Sequence, residues 1–364
     1  MKTFYCYHCG HQVFFLNTHC ENCDALLGYL PDESNMGTFF EVKGDEAWQS
    51  QYPQHQGKLF KPCYNYQVEN VCNWMLPVES TEIYCEACQL TTVIPNLEEG
   101  NNRLYWSRLE AAKRRFLYSL YQLKIQPRPK QSADDHQGLA FKFLHPYEGQ
   151  PVMTGHDNGL ITININEADA SYREWTRESM QEPYRTLLGH FRHESGHYYF
   201  DRLIEHTQWY EPFKQLFGDD GQSYQEALNR HYQQGAPENW QQNYVSSYAS
   251  MHPWEDWAET WAHYLHMIDT LDTAYHSGIN IQPYNRFEPH MYLHQPPIGI
   301  QDFNQTLDHW FALSYALNSL NRSMGLPDAY PFALSQVVLD KLRFIHQVVL
   351  EKFTEATPEL ANQS

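Results

Sequence analysis

His193-Glu-Ser-Gly-His197 lies in a stretch that is free of proline from Tyr184 to Glu211. Tyr184, Leu187, Leu188, Phe191, Tyr198 and Leu203 recur around it at helical spacing, which predicts a helix over 183–206. On a helix, two histidines four residues apart project from one face, close enough to hold one metal ion. Glu194 points to the neighbouring side, where a water on that metal would lie. Two imidazole ligands, a carboxylate base and an open coordination position are what hydrolysis at zinc requires. Three fixed residues are a modest signal, since a shuffled chain of this composition would carry them with a probability of roughly 0.08. Upstream, Gly159-Leu-Ile-Thr-Ile-Asn-Ile-Asn166 alternates apolar and polar residues, the period of a strand. An edge strand beside a metal helix could pair with an extended peptide.

A hydrolytic zinc takes three protein ligands and one water. The third ligand is expected from His252-Pro-Trp-Glu-Asp-Trp-Ala-Glu-Thr-Trp-Ala-His-Tyr264. Pro253 suits a first helical position and the acidic residues suit the opening turn, so a helix is expected over 253–270. Glu255, Glu259 and His263 share a face at i, i+4 and i+8, and Asp256 lies about 100° round from Glu255. Glu255 is the expected ligand. Glu259, one turn on, is expected to accept the second ring proton of a ligating histidine and so fix its orientation. Asp256 is the alternative ligand.

These residues carry a family resemblance. His193-Glu194-x-x-His197 followed by a distant Glu255-x-x-Ala-Glu259 resembles the gluzincin metallopeptidases. The stretch Tyr248–Tyr264 is similar, nearly residue for residue, to the signature of a bacterial group of zinc-binding metallopeptidases with an N-terminal zinc ribbon. The resemblance covers the chain from the first cysteine pair to at least residue 270. It implies Glu255 as third ligand, Glu194 as general base and Tyr248 as donor to the oxyanion. Tyr244 and His252 are alternatives in this chain for that last role. The separation of His197 from Glu255 is longer than in thermolysin-like enzymes, so the intervening segment is expected to form a lid or a wall of the substrate site.

All eight cysteines precede residue 89. Cys6-x-x-Cys9 and Cys20-x-x-Cys23 have the spacing of two zinc knuckles around one tetrahedral ion. Cys63, Cys72, Cys85 and Cys88 form a second quartet in which only the last pair has knuckle spacing. Buried free thiols or a disulfide are the rival reading there. Four thiolates leave no position for water, so both quartets are expected to hold structural Zn2+ that folds segments with little core. His8, His11 and His19 are bystanders.

The expected architecture is α+β: N-terminal zinc-ribbon modules, then a mainly helical zincin-like domain with a small sheet. The divisions are 1–30 (zinc ribbon), 31–98 (second cysteine-rich module) and 99–364 (metallopeptidase-like catalytic domain). Within these, 31–57 reads as a polar connector with a short strand near Phe39-Phe40. Helices are expected over 102–124, 302–323 and 332–353, and the tail after Thr357 reads as frayed. No apolar run approaches the roughly 20 residues that span a bilayer. The first residues carry metal ligands where a signal peptide would be apolar, so a cytoplasmic location and no membrane partner are expected.

Net charge is −19. Residues 1–100 hold four Lys, no Arg and thirteen acids, a local net of −9, which would repel a phosphate backbone. Nucleic acid is therefore not an expected partner. The basic stretch Arg103, Arg108, Lys113, Arg114, Arg115, Lys124, Arg128 and Lys130 reads as a helix docking onto the acidic remainder, or else as a patch for an acidic partner. The expected function is a zinc-dependent peptidase acting on a peptide or protein through a metal-activated water and Glu194. The alternative is a non-enzymatic scaffold that binds a protein partner through its ribbons and keeps an inactive or autoinhibited peptidase fold.

Overall fold

The computed structural model describes residues 1–42, 44, 47–147, 150–180 and 182–357, so the tail after Thr357 lies outside the described residues. The chain is α+β and divides into two compact units. One is formed by residues 1–122 and 126–172, the other by 123–125 and the chain from Arg173 onward.

The first unit opens with β1 (Phe4–Tyr5) paired to β2 (Gln12–Val13). Each knuckle closes on a residue with left-handed backbone, Gly10 (φ 74°) and Asp24 (φ 59°). Their N–H groups donate to the carbonyls of Cys6 and Cys20 at 2.8 Å, which turns the loop tightly enough to bring its two thiols together. One antiparallel sheet follows, in chain order: β3 (Leu26–Leu30), β4 (Asn35–Glu41), β5 (Trp48–Ser50), β6 (Leu59–Pro62) and β7 (Met75–Pro77). The short strand expected near Phe39 is thus seven residues long. It is paired on both sides and buries Met36 to Phe39 consecutively, so the alternation that marks a half-exposed strand is missing. Single turns α1 (Tyr64–Gln67) and α2 (Glu86–Gln89) start directly after Cys63 and Cys85.

Helix α3 (Asn102–Gln122) buries Trp106, Leu109, Phe116, Leu117 and Leu120. Its basic residues are engaged by protein groups. Arg103 pairs with Glu69 at 2.5 Å, and Arg108 donates to the Ala168 carbonyl at 2.9 Å. Arg114 donates to the Val71 carbonyl, and Lys113 pairs with Glu110 at 2.8 Å with both side chains buried. Beyond the helix, Arg128 pairs with Asp135 at 2.6 Å. Three of these five cations meet acidic side chains, one of them on the same helix, and two meet backbone carbonyls.

A second sheet has the order β10 (Gly155–Asp157), β11 (Leu160–Asn164), β9 (Ala140–Leu144), β8 (Thr91–Val93). The strand foreseen at 159–166 is β11, but it is not an edge. It pairs antiparallel with β10 and parallel with β9. Asn158-Gly159, both with positive φ, make the tight turn that folds β10 back along it and covers its outer side.

The second unit is helical: α5 (Leu187–Leu203), α6 (Tyr210–Phe217), α7 (Tyr224–Gln234), α8 (Pro253–His276), α9 (Phe303–Ser323) and α10 (Gln336–Ala356), with α4 (Ala170–Ser179) crossing the division. Capping sets the starts. Thr186 accepts from Gly189 N at 2.9 Å, so α5 begins four residues after the expected 183. Ser335 accepts from Val338 N at 3.3 Å, so α10 begins at Gln336 where Pro331 suggested 332. The core lies where α5 and α8 cross. Trp257, Trp261, Phe200, Phe213 and Phe217 are buried there, each such ring contributing about 2–3 kcal/mol. Trp257 Nε1 donates to the Gly196 carbonyl at 2.8 Å. A Cβ on Gly196 would fall 2.7 Å from Ala258 Cα, so glycine lets the two backbones touch. Buried ion pairs flank the crossing, Arg192 with Asp269 at 2.8 Å and Lys341 with Asp256 at 2.5 Å. Among the described residues no helix is long and apolar enough to cross a membrane.

Candidate metal centre

The crossing of α5 and α8 brings His193, His197 and Glu255 together, with one donor atom of each within 4.8 Å of the others. Glu255 sits in the first turn of α8, behind Pro253 and the N-cap His252, so that helix end points its acidic side chain at the histidine face of α5. Glu255 Oε2 is 3.1 Å from His193 Nε2 and 3.5 Å from His197 Nε2. A tetrahedral ion with bonds of about 2.05 Å requires ligand separations of about 3.3 Å. The same Oε2 is buried and accepts no hydrogen bond, so its unmet lone pairs face the two ring nitrogens. Donor type, spacing and the orphaned oxygen all fit zinc.

Neighbouring groups fix the rings. Glu259 Oε1 accepts from His193 Nδ1 at 2.6 Å, which leaves Nε2 as the bare nitrogen of that ring. Ser246 donates to the other Glu259 oxygen at 2.6 Å. Trp254 lies against His197 with ring centres 3.8 Å apart. The carboxylates differ electrostatically. Burial acts against the charge of Glu255, yet His197 and His193 hold its carboxyl well below the ordinary range. Burial also opposes the charge of Glu259, and the His193 hydrogen bond again prevails, lowering it. Glu194 is buried too, and there desolvation prevails and raises its pKa.

The remaining sequence candidates divide. Tyr248 stands at the site, its ring centre 6.0 Å from that of His193. Its phenol is pushed far up by burial first and by the Glu255 charge next, so it stays protonated. Asp256 is turned away to Lys341. His252 caps α8: Nδ1 accepts from Trp254 N at 3.1 Å and Nε2 donates to the Gln222 carbonyl at 3.2 Å. Tyr244 lies under the Lys341 ammonium, 4.6 Å from its ring centre. His263 is buried against the Tyr330 hydroxyl at 2.7 Å.

The cysteines gather in two quartets in the first unit, Cys6, Cys9, Cys20, Cys23 and Cys63, Cys72, Cys85, Cys88. Sulfurs are 3.7 Å apart for Cys6–Cys23, 3.6 Å for Cys9–Cys20 and 3.7 Å for Cys72–Cys85. A disulfide needs about 2.05 Å, whereas four Zn–S bonds of about 2.3 Å need about 3.75 Å. In the second quartet, Cys85 N donates to Cys63 Sγ and Trp74 N to Cys72 Sγ, each at 3.3 Å.

A family model described as "Putative zinc-binding metallo-peptidase" matches residues 102–348, and a zinc-ribbon domain model matches residues 3–99. The chain belongs to this zinc-binding metallopeptidase family. It is also similar to the "Uncharacterized protein Rv2568c" of Mycobacterium tuberculosis (strain ATCC 25618 / H37Rv), 42% identical over 360 residues that cover 98% of each chain. The "Uncharacterized protein Mb2598c" of Mycobacterium bovis shows the same identity and coverage. No solved structure matches.

Around His193, His197 and Glu255, sequence reasoning missed three residues: Tyr224, Ser246 and Trp254. The hydroxyl of Tyr224 donates to Glu255 Oε1 at 2.8 Å. Ser223 and Glu226 form a capping signature that marks a helix from 224, but nothing local ties it to a residue 31 positions on. α7 lies in the segment between His197 and Glu255 and supplies this contact.

Proposed function

We propose that this protein is a zinc-dependent peptidase of the gluzincin type, in which His193, His197 and Glu255 hold one catalytic zinc and each cysteine quartet holds one structural zinc. The observation that carries the reading is the buried, unbonded Glu255 Oε2 facing two imidazole nitrogens, with the carboxylate of Glu194 on the same helix. Zinc bound there would supply Lewis acidity to a water molecule and to the scissile carbonyl. Glu194 takes the proton of the attacking water and passes it to the leaving amine. Its burial raises its pKa, which suits a group that must carry the proton between those two events. Tyr248 donates to the oxygen that gains charge, a contribution of about 3 kcal/mol for one donor. Glu259 and Ser246 keep the His193 ring in place.

The substrate is a peptide or protein, and the location is cytoplasmic. The ribbons brace the chain or meet a protein partner, since their acidic charge disfavours nucleic acid. The test is a peptide-library digest with wild type and Glu194→Gln, alongside metal counting. Expected are three zincs in both proteins and loss of about 10²–10⁴-fold in turnover for the variant. Cleavage surviving unchanged in Glu194→Gln refutes the mechanism. Two tight zincs with no third would favour the scaffold.

A further inference from the structure

The fold treats the two oxygens of Glu255 differently. Oε2 faces His193 Nε2 and His197 Nε2 and accepts no hydrogen bond. Oε1 accepts from the Tyr224 hydroxyl at 2.8 Å. Tyr224 opens α7 directly after its N-cap Ser223, which accepts from Glu226 N at 3.3 Å. Its ring packs against Trp254 (5.7 Å between centres) and His252 (5.6 Å). His252 is itself fixed as the cap of α8. The phenol and the carboxylate are therefore both anchored to the start of one helix, and their separation is set by packing.

We propose that Tyr224 is a positioning residue of the zinc centre: its hydroxyl holds Oε1 of Glu255 aside, so that the carboxylate serves as a one-oxygen ligand through Oε2. This rests on the reading of His193, His197 and Glu255 as one zinc site. A carboxylate free to rotate would present both oxygens to the ion and occupy the position that water needs. A phenol prevents this without adding charge, so the site keeps the full negative charge of Glu255. Tyr224 thus acts through the ligand.

The test uses the full-length protein and Tyr224→Phe, which removes one oxygen and keeps the ring. Zinc affinity at the third site is read by competition with a chromophoric chelator, and the visible absorption of the cobalt-substituted centre reports coordination number. The two cysteine-bound zincs and the melting temperature of each variant check the fold. Expected for Tyr224→Phe are both cysteine-bound zincs retained, a 10–100-fold weaker third zinc (roughly, as for other outer partners of ligands) and a weaker cobalt absorption, as the released Oε1 joins the ion. Tyr248→Phe, which removes no hydrogen bond to Glu255, should leave affinity and cobalt spectrum unchanged. Wild-type affinity and spectrum in Tyr224→Phe overturn the proposal and leave the zinc site standing. Only two zincs in the wild type overturn both. A third zinc that weakens in Tyr224→Phe, in a protein that cleaves no peptide, supports the role of Tyr224 and overturns the peptidase reading.

Discussion

A single methyl group at position 196 probes how the fold gauges the gap between α5 and α8. In Gly196→Ala the new carbon would lie 2.7 Å from Ala258 Cα and 3.2 Å from the Ala258 carbonyl oxygen, and neither atom belongs to a side chain that could swing away. Reaching ordinary contact at about 3.4 Å requires α5 and α8 to part by about 0.7 Å. Overpacking of this kind costs about 1–3 kcal/mol. For a unit of this size that lowers the melting temperature by about 3–10 °C. The same movement stretches the Glu255 to His193 and His197 separations of 3.1 and 3.5 Å to about 3.8–4.2 Å, past the roughly 3.3 Å edge of a zinc tetrahedron. Thermal unfolding by circular dichroism and chelator competition should show a lower midpoint and a third zinc weakened at least about tenfold, equivalent to about 1.4 kcal/mol, with the cysteine-bound zincs unaffected. A variant that melts with the wild type and holds the third zinc as tightly would refute the view that backbone contact at Gly196 sets the site.

Other expectations follow from the same packing. Lys341→Met leaves the Asp256 carboxylate buried and uncompensated, and chemical denaturation should reveal a loss of about 3–5 kcal/mol; a loss under 1 kcal/mol would show the pair to be hydrated. Burial lowers the pKa of His263 from 6.5 to about 4 and also lowers those of His266 and His346. The unfolded chain then binds protons that the folded chain refuses, so stability is complete above about pH 6.5 and falls as pH drops toward about 4. In His263→Gln the denaturation midpoint should depend less steeply on pH over that window, and an unchanged slope would exclude His263 as a contributor. Cys72→Ser should lower the zinc content by one ion and destabilise the first unit, since binding of a structural zinc is worth about 10–16 kcal/mol in small modules. Unchanged metal content by elemental analysis would remove the second quartet from the list of zinc sites.

Local pattern carried part of this far. The α+β organisation followed from cysteine knuckles at one end and 3.6-residue apolar periodicity at the other, because both are short-range signals. The alignment of His193 and His197 on one helical face, with Glu194 on the neighbouring side, needed nothing beyond the helix repeat. Pattern failed where neighbours in space replace neighbours in sequence. The run Met36–Phe39 of β4 is buried residue after residue and so shows no alternation, and β11 proved internal because an Asn158-Gly159 turn folds β10 along it.

The amino-acid order by itself determined which side chains could bind an ion and which of them share a turn or a knuckle, since chain geometry limits those distances to a few ångströms. Only the tertiary structure decided that Glu255 meets the histidines while Asp256 meets Lys341, and that Tyr224 reaches the far oxygen of Glu255. Those choices depend on where α5, α7, α8 and α10 cross, and a crossing is set by summed packing, down to the missing methyl of Gly196, which no stretch of sequence read alone contains.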